Sequence, residues 1–73
     1  MTEKHMQHLL DTVPGIGVEV KTAEGFTVHY FYEDFDGPGT GIRRAMAQLY
    51  PQLDRGVLTR VTFIEKHRRA AKS

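Results

Sequence analysis

His5 and His8 stand three residues apart, a spacing that on a helix lets two imidazoles reach one metal ion, but two ligands are too few to hold it. They read as surface histidines, and no metal site is expected. Asp34-x-Asp36-Gly37 has the alternating carboxylates and turning glycine of a calcium loop. It lacks a third aspartate and a glutamate at the twelfth loop position, so it reads as a solvated acidic turn. The segment Gly37-Pro38-Gly39-Thr40-Gly41-Ile42-Arg43-Arg44 would suit an anion, since glycines let backbone amides converge and a helix start favours negative charge. The Gly-Lys-Ser/Thr of a nucleotide loop is missing. The glycines and proline are therefore expected to turn the chain, with Thr40 capping a helix. His29 is placed among Glu19, Glu33 and Arg60, where its charge would respond to pH near neutrality. Ser73 is the sole serine and there is no cysteine, so a serine or cysteine nucleophile has almost no carrier. No catalytic residue, cofactor or small-molecule substrate is expected, and the protein is read as not an enzyme.

The elements that must position these side chains follow from periodicity. Thr2 and Glu3 open a first helix over residues 3–12, in which Met6, Leu9, Leu10 and Val13 form one apolar stripe that Pro14-Gly15 ends. From Ile16 the period becomes two. Ile16, Val18 and Val20 point one way, and Gly17, Glu19 and Lys21 the other. Ala23-Glu24-Gly25 makes a hairpin turn, after which Phe26, Val28, Tyr30 and Tyr32 face the helices while Thr27, His29, Phe31 and Glu33 face away. Ile42, Ala45, Met46 and Leu49 repeat at helical spacing in a second helix, Gly41 to Tyr50, ended by Pro51. Past Gly56, Val57, Thr59, Val61 and Phe63 alternate with Leu58, Arg60, Thr62 and Ile64 as a last strand.

The predicted fold is α+β: helix-strand-strand-helix-strand, with both helices on one face of a three-stranded sheet. An antiparallel sheet in the order 3-1-2 is preferred over one in which the third strand runs parallel beside the second. Residues 1–66 form the domain and 67–73 a basic tail.

Seventy-three residues without cysteine make one small domain, a size at which a second copy often adds stability. The start of the chain has too short an apolar run for a secretory signal or a membrane span, so a cytoplasmic protein with no membrane partner is expected. Net charge is +1, but residues 1–36 carry two bases against seven acids and residues 37–73 eight bases against two acids. Such asymmetry steers charged partners or head-to-tail association.

With both helices on one face, the other face would present Phe31, His29, Arg60, Leu58 and Ile64 without cover. An open apolar sheet face points to a partner. The expected function is therefore non-catalytic protein–protein contact, as a regulator or inhibitor of a larger complex or as a homodimer. The alternative is a nucleic-acid-binding module that holds phosphates through Arg43, Arg44, Lys66, Arg68 and Arg69 and stacks a base on Phe31.

Overall fold

A computed structural model describes residues 1–65, in the order α1 (Glu3–Thr12), β1 (Gly15–Thr22), β2 (Thr27–Glu33), α2 (Thr40–Asp54) and β3 (Leu58–Ile64). Both β2 and β3 pair antiparallel with β1, giving the sheet order β2-β1-β3. The α+β class, the order of elements and the antiparallel 3-1-2 sheet are thus as read from the sequence. Lys66, Arg68, Arg69 and the boundary between domain and tail lie outside the described residues.

Thr2 caps α1 as its side chain type suggests, accepting the His5 N–H at 3.1 Å, with Glu3 in the first turn. Met6 and Leu10 are buried. The core on the other side of the sheet joins Ile16, Val18, Val20 and Leu58 to Ala45 and Leu49 of α2, with Val28, Tyr32, Ile42, Leu53, Val61 and Phe63 around them.

The expected placement of both helices on one face is corrected here. A Cβ on Gly17 would lie 2.7 Å from Met6 Sδ and 3.4 Å from Leu10 Cδ1, so α1 sits on the face toward which Gly17 points. Val18, its neighbour, points into the α2 core. The helices therefore cover opposite faces, α1 over β1 and β2 and α2 over all three strands. Gly17 has no side chain and so showed no apolar signature, yet its bareness is what lets Met6 reach the sheet.

Leu58 is also corrected. One step along β1 from Lys21 to Thr22 corresponds to two along β3, from Arg60 to Leu58, so Thr59 is an extra residue in a bulge. The bulge reverses the alternation before it. Leu58 turns into the α2 core at 5% exposure, and Val57 is left 46% exposed.

Two details of α2 differ from expectation. Gly39 occupies the cap position, while the Thr40 hydroxyl donates to the Gly37 carbonyl at 2.9 Å. The helix also runs through Pro51 to Asp54. Proline there removes its own N–H and crowds the Ala47 carbonyl, but it sits exposed near the end of the helix, where water can serve that carbonyl.

Candidate functional site

Most of the side chains expected on an open sheet face are not open. Gly17 pairs with Phe31 on one side and Ile64 on the other, and Met6 and Leu10 lie over the gap between them. Phe31 leans over Gly15, and both it and Ile64 are half-buried. His29 Nε2 lies 3.5 Å from Glu19 Oε1 and its side chain is 14% exposed. Arg60 is exposed on the same face, and Leu58 is on the opposite one. The structure brings Phe31, His29, Arg60 and Ile64 to one face as expected but lays α1 over the β1 and β2 part of it.

The glycine-rich segment before α2 is served from within the chain. Asp34 Oδ1 accepts the Gly41 N–H at 2.7 Å, so a carboxylate of this chain already serves the start of α2. That also gives Asp34 a structural task in place of a calcium ligand's. Among the described residues, no group of three or more His, Cys, Asp or Glu side chains is arranged to hold a metal ion. An open depression of about 330 Å³ lies between Pro14, Asp34, Gly37 and Pro38, and among the described residues Asp34 is the one ionisable group lining it.

Arg60 and Thr62 stay exposed on the β3 part of that face, which α1 does not reach, and a second open surface is the outer edge of β2. Two bonds mark the ends of its ladder with β1: the Thr22 N–H donates to the Phe26 carbonyl, and the Asp34 N–H to the Pro14 carbonyl, each at 2.9 Å. Antiparallel pairing alternates, so even-numbered residues of β2 turn their backbone groups toward β1. Thr27, His29, Phe31 and Glu33 turn theirs outward.

Side chains at the far end of this edge are tied together. Arg44 Nη1 donates to the Glu33 carbonyl at 3.4 Å, and its guanidinium lies 5.3 Å from the centre of the Phe35 ring. The Tyr32 hydroxyl donates to Gln48 Oε1 at 2.9 Å, and the rings of Tyr30 and Tyr32 lie 6.3 Å apart. Burial raises the Tyr32 pKa above the ordinary tyrosine value, the charge of an ionised Tyr30 adds to this, and Arg44 opposes it. Tyr30 is 42% exposed and Phe35 69%.

Sequence reasoning assigned Tyr30 to the core and gave Phe35 no role. The signal that would have found Tyr30 is the preferred strand order itself, which makes β2 an edge strand and so leaves its aromatic residues only one neighbouring strand, whereas Phe35 lies in the turn beyond it. Arg43 is exposed at the start of α2, on the opposite side of the sheet from Arg60. Arg44 is engaged as described. Comparison with family models, curated proteins and solved structures returns no match. No helix among the described residues is long and apolar enough to cross a membrane.

Proposed function

We propose that the chain is a non-catalytic binding protein that works through protein–protein contact, with the outer edge of β2 and its neighbouring aromatics as the contact surface. One observation carries this reading: β2, Thr-Val-His-Tyr-Phe-Tyr-Glu, is an edge strand with no proline, lysine, arginine or bulge along its seven residues. Edge strands that do not pair are normally guarded by such devices, because a row of outward N–H and C=O groups invites another strand. The other edge has them, with a bulge at Thr59 and a charge at Arg60. Tyrosine and arginine beside the β2 edge are residue types that commonly anchor protein interfaces. Occluding or bridging a larger partner is the action such a surface supports, as in a regulator or inhibitor.

The test uses a tagged chain and lysate from its own source, with nuclease present and at raised salt. Partner protein is expected to stay bound, and to be lost with His29→Pro. Because His29 turns its N–H outward, proline there removes no bond to β1. Circular dichroism confirms that the variant folds. Retention that disappears with nuclease or salt would favour the nucleic-acid alternative. Retention unaffected by His29→Pro would remove the β2 edge from the reading.

A further inference from the structure

We infer that the occupant of this edge is a second copy of the same chain, joined β2 to β2 in antiparallel with Tyr30 on the two-fold axis. The inference rests on the reading of the β2 edge as a protein-binding surface and adds the partner and the register.

The register follows from geometry. A two-fold axis normal to the sheet pairs outward residues with outward residues, so it must pass through a residue rather than between two. Only Tyr30 is central to Thr27–Glu33, and centring there aligns the whole strand with its copy. Any other centre leaves strand ends without a mate. In this register Thr27 exchanges backbone hydrogen bonds with Glu33 of the second copy, and His29 with Phe31. The carbonyl of Glu33 has a second lone pair, so the Arg44 contact and the new bond can coexist.

The side chains agree with that alignment. Tyr30 meets Tyr30 of the second copy at a position of close side-chain approach, and Val28 meets Tyr32, both pair types that stabilise sheets. No like charges face each other across the junction: Glu33 stands opposite Thr27, and His29 opposite Phe31. Lys21 pairs with Thr27 within one chain, so Glu33 of the second copy falls in the same cross-sheet row as that lysine. The product is a six-stranded sheet with both copies of α1 on one face and both copies of α2 on the other. A chain this short has a small core, and pairing of this kind is a common remedy.

Light scattering on the full chain is expected to give twice the 8.3 kDa of one copy. Tyr30→Lys and Tyr30→Glu each place like charges face to face at the axis and remove an aromatic pair. Either alone should raise the dimer dissociation constant roughly tenfold. Because Tyr30 is exposed, both variants should keep the wild-type circular dichroism spectrum. Mixed in equal amounts, the two should recover association as a heterodimer. The inference is overturned if the wild type stays at the mass of one copy at millimolar concentration, if Tyr30→Lys dimerises as tightly as the wild type, or if mixing restores nothing. The two readings fail separately. A monomer that still loses its lysate partner with His29→Pro ends self-pairing alone, whereas one indifferent to His29→Pro ends the β2 edge as well.

Discussion

Replacing Gly41 by alanine sets helix propensity against packing, and the two predict opposite signs. Glycine in a helix is up to about 1 kcal/mol worse than alanine, so by propensity alone Gly41→Ala should stabilise α2. The structure reverses this. A Cβ at Gly41 would meet the Tyr32 carbonyl oxygen directly, with the carbonyl carbon 3.0 Å and Asp34 Oδ1 2.8 Å away. Backbone at the end of β2 cannot rotate aside as a side-chain tip does. Forcing a methyl group into a packed site costs about 1–3 kcal/mol. The added Cβ would also push on the Asp34 carboxylate that accepts the Gly41 N–H, and losing a helix cap costs about 1 kcal/mol. Against the propensity gain, the net loss is about 1–3 kcal/mol, a large part of the ~3–5 kcal/mol a core of this size supplies. In a domain of this length that lowers Tm by roughly 5–20 °C. Urea and thermal unfolding followed by circular dichroism would measure it. Ala47→Gly is the control: it lies on the exposed face of α2 and should cost about 1 kcal/mol by propensity. Opposite substitutions on one helix should therefore both destabilise. A Gly41→Ala chain as stable as the wild type, or more so, would refute the close packing of α2 against β2.

The bulge at Thr59 makes adjacent residues unequal. Leu58→Ala should cost about 2–4 kcal/mol in urea unfolding, while Val57→Ala should stay within about 0.5 kcal/mol. Uninterrupted alternation would give the reverse ranking. The raised pKa of Tyr32 predicts a dependence on pH at the alkaline end. A phenol whose folded pKa exceeds its unfolded value, about 10, contributes stability that is fully present below that value and is lost as pH rises through the folded pKa. Tyr32→Phe should flatten that part of the profile relative to wild type. It should also cost about 1 kcal/mol at neutral pH through loss of the Gln48 hydrogen bond.

The elements were legible because their cues are local and redundant. Thr2 with Glu3, the Met6–Leu10 stripe and the period-two run from Ile16 each carry a signal that a short window contains, and the sheet order followed from a hairpin and a crossover helix. What escaped depends on residues that signal by lacking something. Gly17 looked like an outward position of no consequence, yet its missing side chain is the seat for Met6, and that seat decides which face α1 covers. Thr59 is an ordinary strand residue whose insertion is visible only once β1 is beside it, and it alone moves Leu58 from the expected contact face into the core. The candidate surface moved for the same reason. With α1 above Gly17, Phe31 and Ile64 flank a second small apolar layer, and the outward groups of the β2 edge are backbone amides and carbonyls, which nearly every residue possesses. An edge strand is thus nearly silent in sequence: its reactivity lies in the main chain, and only the lack of proline, lysine and arginine between Thr27 and Glu33 sets it apart from an edge made to stay unpaired.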